Sequence, residues 1–176
     1  MKKRRESISL WLKRNVLWSK VPYLIGCALE SARWGYTYEM YRRNYSIDPS
    51  FRFTGEGIIL SGDGNIILGK NGYIGRCSII ECGKDSVVRI GNRCKIASFV
   101  SIRGVTRDLA IHELTKFGNV IIGDDVWIGR HVYINPNIQI GDRTVIGANS
   151  VVTKDVPSDV LACGCPAIVK KRIPSP

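Results

Sequence analysis

The sequence has few histidines, a deficit of acidic residues and no long apolar run. Its 176 residues include 2 His, and 15 Asp and Glu stand against 26 Lys and Arg, which gives a net charge of +11. No stretch of about 20 consecutive apolar residues occurs, so no membrane-spanning helix is predicted. None of the six cysteines forms a Cys-x-x-Cys pair, which argues against a zinc site of the usual Cys/His kind. We expect reduced, mostly buried thiols.

The amino terminus lacks a complete secretion signal. Residues 1–5 resemble the basic start of a signal peptide, but the apolar stretch over residues 8–12 is interrupted by Lys13 and Arg14 and is too short for its hydrophobic region. A hydrophobic share of 44% and a charged share of 23% are typical of a folded chain. The sequence therefore predicts a cytoplasmic protein with one domain of ordinary size and an appendage.

The basic surplus is concentrated near the amino terminus. Residues 1–44 contain ten Lys and Arg against three Asp and Glu, a net charge of +7. An apolar face at helical spacing predicts a helix over residues 7–21, and a second helix is predicted over residues 23–44. Two interpretations of this basic segment, residues 1–50, remain open: a membrane-surface helix attracted to anionic lipid, or a helical cap with a solvated basic face. No recognition motif accompanies the charge, so nucleic acid is not expected as a partner.

A six-residue repeat organises the chain from residue 66 onward. A branched aliphatic recurs at every sixth position of the clearest stretch, at Ile122, Ile128, Ile134, Ile140, Ile146 and Val152. The residue four positions after each is again small or branched, at Val126, Val132, Ile138, Thr144, Ser150 and Val156. Two shorter series keep the same rhythm, at Leu68, Ile74 and Ile80 and at Ile90, Ile96 and Ile102. An internal repeat of this regularity outranks other sequence signals of fold.

A six-residue period fits neither a helix nor simple strand alternation. It suits a short strand and a turn, with both repeated positions pointing inward and the small residue after each aliphatic permitting the bend. Three such units form one triangular coil, and coils stack at about 4.8 Å, the spacing of paired strands. The sequence therefore predicts an all-β solenoid, a parallel β-helix, over residues 51–172, with a short tail over residues 173–176.

The repeat form aliphatic–Gly–x–x–(small or Val)–x resembles that of the hexapeptide-repeat acyltransferases. Residues 123–137 and 146–157, and the tail from Gly164 to Ala167 with the basic residues after it, are similar to the C-terminal coils of galactoside and maltose acetyltransferases. The resemblance spans about residues 66–172. It implies a left-handed β-helix, a homotrimer, acetyl-CoA as the donor, and active sites in clefts between neighbouring subunits. No metal is expected.

The repeat is interrupted between Ile102 and Ile122, which predicts an inserted loop over residues 103–119. The resemblance implies that this loop projects over the neighbouring subunit and helps to build the active site. His112 lies in the loop, in a segment similar to a His-Glu-Leu stretch of galactoside acetyltransferases. An imidazole with an ordinary pKa of about 6.5 accepts a proton from an attacking hydroxyl or amine at neutral pH.

One position departs from the family pattern. The residue five positions after the last aliphatic before the loop is usually the catalytic histidine, and here it is Arg107, whose guanidinium stays protonated and cannot act as a base. Three interpretations follow: His112 is the general base, Asp108 takes that role, or the chain has lost activity. His131 is the weaker candidate because it lies inside the regular repeat, where the resemblance implies a non-catalytic histidine.

The resemblance also assigns residues to the donor and to the acceptor. Five residues match positions that contact coenzyme A: Arg130, Ala148, Thr153, Lys154 and Lys171. The lysines offer positive charge to its phosphates. On the acceptor side, Asp85 stands where the family has a sugar-binding aspartate, Glu113 adjoins His112 in the loop, and Cys77 replaces an asparagine.

The expected function is transfer of an acetyl group from acetyl-CoA to a sugar hydroxyl or amine during the assembly of a bacterial surface polysaccharide. The basic segment would hold the enzyme at the inner membrane, beside lipid-linked or nucleotide-linked acceptors. Two alternatives stay open. A catalytically inactive trimeric scaffold would explain Arg107. A γ-class carbonic anhydrase has the same solenoid, but it needs three histidines around zinc and this chain has only His112 and His131.

Overall fold

The computed structural model describes residues 24–107 and 114–174. Helix α1 covers residues 24–44, which confirms the second predicted helix. The first predicted helix, over residues 7–21, lies outside the described residues. Within the described part of the chain, no helix is long and apolar enough to cross a membrane.

The chain divides into two compact units, Met1–Thr37 and Tyr38–Pro176, and every strand that the structure describes belongs to the second. Sheet A contains β1 (Ser46–Ile47), β4 (Asn65–Leu68), β7 (Val87–Ile90), β12 (Val120–Ile122) and β15 (Ile138–Ile140). Sheet B contains β2 (Arg52–Thr54), β5 (Tyr73–Gly75), β8 (Lys95–Ile96), β13 (Trp127–Ile128), β16 (Val145–Ile146), β18 (Val160–Cys163) and β19 (Ile168–Arg172). Sheet C contains β3 (Ile59–Ser61), β6 (Ile79–Glu81), β9 (Ser101–Arg103), β14 (Tyr133–Ile134) and β17 (Val151–Val152).

Five coils of this second unit each contribute one strand to each of the three sheets, and neighbouring coils pair in parallel. After them, β18 and β19 extend sheet B alone. Antiparallel pairing occurs between β18 and β19 and in a separate hairpin of β10 (Val105–Arg107) and β11 (Leu114–Phe117). This arrangement confirms the predicted all-β solenoid, a left-handed parallel β-helix preceded by a helical segment.

The repeated aliphatics form the core, as the six-residue period predicts. The side chains of all the repeated series are between 0% and 6% exposed. Each fully buried aliphatic contributes about 1.5–3 kcal/mol relative to an exposed position. Two inward positions carry hydroxyls instead: Thr144 donates to the carbonyl oxygen of Pro157 at 2.7 Å, and Ser150 donates to that of Gly147 at 2.6 Å. The core tolerates these polar groups because both are paired.

The chain turns its corners through residues in the left-handed conformation that are not the glycines of the repeat. In the two C-terminal full coils these residues have φ between 55° and 61°, at Asp125, His131, Asn137, Arg143 and Asn149. Gly129 has no positive φ, but a Cβ on it would lie 2.6 Å from the backbone nitrogen of Ala148 in the next coil. The expectation that the small residue permits the bend is therefore wrong, because it permits the close stacking of coils.

The solenoid begins earlier than the period indicates. Its first coil, β1 to β3, precedes the stretch in which the repeat is recognisable, and its Phe51 and Ile58 are 0% exposed. Seven positions, not six, separate these two side chains, and Gly55 and Gly57 between them have φ of 111° and 72°. The extra residue hides the coil from a search for a six-residue period.

The C-terminal end of α1 closes the open end of the first coil. The Tyr38 hydroxyl donates to the carbonyl oxygen of Gly55 at 2.6 Å. The Arg42 guanidinium donates to the carbonyl oxygens of Asp48 at 3.0 Å and Phe51 at 2.5 Å. Because a terminal coil has no further coil to pair with, these contacts satisfy carbonyl groups that would otherwise face solvent. This part of α1 is therefore a cap.

The cysteines are free thiols, but the expectation that most are buried is wrong. Cys82 and Cys94 are buried, Cys163 is half-buried, and three are exposed: Cys27, Cys77 and Cys165. The Cys94 thiol donates to the carbonyl oxygen of Gly123 at 3.0 Å, and burial raises its pKa to about 11, so it is protonated at neutral pH. Among the described residues, no group of three or more His, Cys, Asp or Glu is placed to hold a metal.

Candidate active site

The insertion predicted over residues 103–119 contains an antiparallel hairpin at the corner between sheets C and A. Its strands β10 and β11 place Val105 opposite Phe117 and Thr106 opposite Lys116. The hairpin follows β9 and precedes β12, so the interruption of the repeat corresponds to this one element. Three predicted site residues lie outside the described residues, in the sequence between the two strands: Asp108, His112 and Glu113. Their roles stay predictions.

Two glycines allow the base of the hairpin to lie directly against the solenoid. The Phe117 ring occupies the space that a side chain on Gly83 would need. A Cβ on Gly118 would lie 2.7 Å from the backbone nitrogen of Asn137. The Asn119 side-chain oxygen accepts a hydrogen bond from a backbone amide of β7 at 2.8 Å. The base of the hairpin therefore packs against the coils on both sides of it.

A cleft of about 820 Å³ lies beside the hairpin. Two of its lining residues belong to the hairpin, four to the chain from the end of β14 to the start of β15, and one follows β17: Thr106, Phe117, Asn135, Pro136, Asn137, Ile138 and Thr153. The lining combines an aromatic ring with hydroxyl and amide groups, which suits a polar ligand held by hydrogen bonds and an apolar contact. Of the predicted site residues that the structure describes, Thr153 alone lines this cleft.

Four of the five predicted coenzyme A residues form two groups, one at each of the two corners that border sheet C. Thr153 and Lys154 follow β17 at the corner toward sheet A, and both are exposed. Arg130 and Ala148 are exposed at the corner between sheets B and C. The amide of Asn149 donates to the carbonyl oxygen of Arg130 at 2.8 Å, which stacks this second group in adjacent coils. Within one chain the two groups do not form a single site.

Asp85 and Lys171 lie in different parts of the solenoid. Asp85 is an exposed corner residue with φ of 59° between β6 and β7. This corner adjoins the hairpin, because Phe117 covers Gly83 two residues earlier. Lys171 lies on the end strand β19, opposite Leu161 in sheet B. The structure thus brings Asp85 to the corner that carries the hairpin and leaves Lys171 away from it.

His131 is part of a column of side chains at the corner between sheets B and C. Its ring stacks on that of Phe99, with the centroids 4.9 Å apart and an angle of 6° between the planes. The Arg76 guanidinium lies 5.7 Å from the centroid of the Phe99 ring, and Cys77 occupies the same corner one coil earlier. Within one chain, the hairpin therefore lies at one of the two corners that border sheet C, and His131 lies at the other.

Sequence analysis missed most of the cleft lining. Thr106 and Phe117 lie in the interruption of the repeat, where no pattern distinguishes them from their neighbours. Asn135 left a signal, because it follows its aliphatic at a position where the repeats on both sides have glycine. The asparagine there keeps the hydrogen bond to the next coil, from its amide to the carbonyl oxygen of Val152 at 3.0 Å, and contributes to the cleft lining.

Known proteins are similar to this chain over most of its length. The family described as "Bacterial transferase hexapeptide (six repeats)" matches residues 119–154. Over 147 residues the chain is 39% identical to galactoside O-acetyltransferase of Escherichia coli (strain K12), an alignment that covers 77% of this chain and 70% of the relative.

Two solved structures share the architecture. A galactoside acetyltransferase in complex with coenzyme A is 36% identical with a TM-score of 0.58, over 70% of this chain and 66% of that chain. The polySia-specific acetyltransferase NeuO is 31% identical with a TM-score of 0.54, over 69% of this chain and 60% of that chain. The chain therefore spans 60% to 70% of the length of these three proteins.

Proposed function

The chain belongs to the hexapeptide-repeat acetyltransferases, which take the acetyl group from acetyl-CoA, and on this basis we propose that it transfers that group to a hydroxyl or an amine of a sugar. The observation that carries this proposal is the cleft beside the hairpin, whose amide and hydroxyl groups match the hydrogen-bonding groups of a sugar. The names of the relatives support it, since one acts on a galactoside and another is specific for polySia.

The transfer needs a base at the acceptor. The base takes the proton of the acceptor hydroxyl while the oxygen attacks the thioester carbonyl carbon. When the tetrahedral intermediate collapses, the C–S bond breaks and the base returns the proton to the departing sulfur, so coenzyme A leaves as a thiol. We assign the general base to His112, with Asp108 as the alternative. The segment that contains both residues joins β10 and β11, and Thr106 and Phe117 of these strands line the cleft. Arg107 stays protonated and cannot replace them.

The acceptor side is assigned to the same corner. Asp85 is exposed beside the hairpin and presents a carboxylate that accepts hydrogen bonds from sugar hydroxyls. Glu113 adjoins His112 in sequence and offers a second carboxylate. The assignment of Asp85 follows from the family resemblance and from its corner beside the hairpin, and that of Glu113 from its place next to His112 in the sequence.

The separation of the donor residues supports a homotrimer with shared active sites. Thr153 and Lys154 lie at one edge of sheet C, and Arg130 and Ala148 lie at the other. One acetyl-CoA contacts both groups when the corner with Thr153 and Lys154 of one copy faces the corner with Arg130 and Ala148 of the next copy. A closed ring with head-to-tail contacts has this arrangement. Lys171 then supplies positive charge to the phosphates from the C-terminal end of the solenoid.

We place the reaction at the cytoplasmic face of the inner membrane, in the assembly of a surface polysaccharide. Helix α1 exposes Leu24, Ile25 and Leu29 at 62%, 53% and 67%. Residues 1–44 carry a net charge of +7. Apolar side chains beside an excess of basic charge are attracted to anionic lipid, which would keep the enzyme near lipid-linked or nucleotide-linked acceptors.

Release of free thiol from acetyl-CoA tests the proposal. The purified chain should release coenzyme A in the presence of a galactoside or an amino sugar, and mass spectrometry should show one added acetyl group on the acceptor. Binding of coenzyme A without transfer to any member of a sugar panel would favour the inactive scaffold. Failure to bind coenzyme A would contradict both.

A further inference from the structure

Two oppositely charged side chains lie side by side on the outer face of sheet C. Glu81 ends β6 and Arg103 ends β9, and the two residues are register partners. The Arg103 Nη1 lies 2.7 Å from the Glu81 Oε2, and the side chains are 30% and 23% exposed. Each follows an inward isoleucine, so alternation along the strand directs both side chains outward.

This pair lies next to the cleft beside the hairpin. In the next two strands of sheet C, the positions that correspond to Arg103 are Asn135, directly after β14, and Thr153, directly after β17. Both of these residues line the cleft. Parallel strands lie about 4.8 Å apart, so Arg103 stands one strand spacing from Asn135. The hairpin begins two residues after Arg103.

The hydrogen bonds of Arg103 are incomplete. Its Nε is buried and has no hydrogen-bond partner among the residues that the structure describes. A guanidinium presents its N–H donors in a planar fork, and Glu81 engages the fork at Nη1. A buried donor without a partner is rare in folded proteins. Because the Arg103 side chain is also 30% exposed, its guanidinium keeps N–H donors that Glu81 does not engage.

The hairpin does not need these side chains for its attachment. The amide of Gly104 donates to the backbone carbonyl oxygen of Glu81 at 2.6 Å, and the amide of Gly118 donates to that of Gly104 at 3.1 Å. Both bonds join backbone groups, so they form whatever side chains occupy positions 81 and 103. The ion pair is therefore available for another role.

We propose that Arg103 and Glu81 determine acceptor specificity by binding neighbouring hydroxyls of an uncharged sugar. The guanidinium donates to one hydroxyl oxygen, and the Glu81 carboxylate accepts from the next hydroxyl. Because the two charges cancel, the pair offers no net attraction to a carboxylate or phosphate. This inference rests on the proposed sugar acetylation and names the class of acceptor.

Steady-state kinetics with two matched sugars tests the assignment. The acceptors are methyl β-D-galactopyranoside and its charged counterpart methyl β-D-galacturonide, and the variants are Arg103→Met, Arg103→Lys and Glu81→Gln. We expect Arg103→Met to raise KM for the neutral sugar about 10- to 100-fold, as for a lost hydrogen bond to a charged group, with KM for acetyl-CoA unchanged. Arg103→Lys keeps the charge without the fork and should recover part of the loss. Glu81→Gln should raise the ratio of kcat/KM for the charged sugar over the neutral one.

Arg93→Met is the matched control. Arg93 forms an equally short ion pair, 2.6 Å from Asp125, at the corner between sheets A and B, away from the cleft. It should leave both KM values unchanged. A purely structural role for Arg103 would lower the melting temperature and change both KM values together, or neither, and either result would overturn the assignment. A preference of the wild type for the charged sugar would do the same. If the wild type acetylates no sugar while it binds coenzyme A, the proposed function fails first.

Discussion

Single side chains hold the coils together at the corner between sheets A and B. The Asp124 carboxylate accepts a hydrogen bond from the backbone amide of Asn92 at 2.8 Å, and the Asp142 carboxylate accepts one from the amide of Asp124 at 2.8 Å. Each carboxylate thus bonds to the backbone of the adjacent coil. The hydrogen bonds from the Asn92 backbone and side chain hold the pKa of Asp124 below its ordinary value.

We expect Asp124→Asn to alter the acid dependence of stability. A carboxyl with a lowered folded-state pKa stabilises the fold above the unfolded pKa of about 3.9, and this contribution is lost as the pH falls through the folded value. Asparagine keeps an acceptor oxygen but does not titrate, so urea unfolding should show a shallower loss of stability below about pH 4. Asp124→Ala removes the acceptor and should also cost about 0.5–1.5 kcal/mol at pH 7. An equally steep loss of stability at acid pH in wild type and Asp124→Asn would contradict a stabilising role for the ionised Asp124.

Residues differ in how far the sequence reveals their role. The inward positions at Ile122 and Ile128 were predictable, because every coil needs the same buried aliphatic. The purpose of Gly129 was misread, since only the stacked coils show how near the Ala148 backbone lies. The partners Glu81 and Arg103 are 22 residues apart, and their contact becomes visible only when the length of a coil is known.

The cap and the hairpin lie at the two places where the six-residue repeat is irregular, so the repeat does not predict them. The first coil was hidden by its seven-residue spacing between Phe51 and Ile58, although its inward residues are as buried as those of later coils. The hairpin could be predicted as an insertion but not as two strands, because β10 and β11 carry no alternating pattern over three or four residues. The cleft was not predictable either, because its lining depends on which coils the hairpin packs against.

We expect the cap to make a measurable contribution to stability. Arg42→Met removes the hydrogen bonds to the carbonyl oxygens of Asp48 and Phe51, and should lower the free energy of unfolding by about 1–3 kcal/mol. Arg43→Met is the matched control, since Arg43 is exposed and lies 3.9 Å from Glu39, and it should change stability by less than about 0.5 kcal/mol. Equal effects of both variants in chemical denaturation would show that the cap does not rest on Arg42.

The whole assembly is expected to share each active site between two copies. His112→Ala removes the general base that one copy contributes to a site. Ala148→Trp blocks the coenzyme A contact that the neighbouring copy contributes from the corner between sheets B and C. Each pure variant should be nearly inactive, whereas trimers re-formed from an equal mixture should recover about a quarter of the wild-type activity through sites built from two intact edges. No recovery, although native mass spectrometry detects mixed trimers, would place each site within one chain.

The basic amino-terminal segment is expected to bind the whole enzyme to anionic membranes. The full chain should sediment with anionic vesicles and be released as salt rises, because the attraction is electrostatic. Deletion of residues 1–21 should abolish sedimentation and leave acetyl transfer to a soluble sugar largely intact. Equal sedimentation with neutral and anionic vesicles would remove the electrostatic argument.

The kcat of His112→Ala tests the central claim, that the hairpin supplies the base for acetyl transfer. We expect kcat to fall by about 100-fold or more while KM for acetyl-CoA changes little, because other residues hold the nucleotide. The wild-type kcat/KM should decline below about pH 6.5, and the variant should lose that limb. His131→Ala, which removes the ring stacked on Phe99, is the control and should affect stability more than kcat. A near-wild-type kcat in His112→Ala, and again in Asp108→Asn, would contradict the placement of the active site at the hairpin.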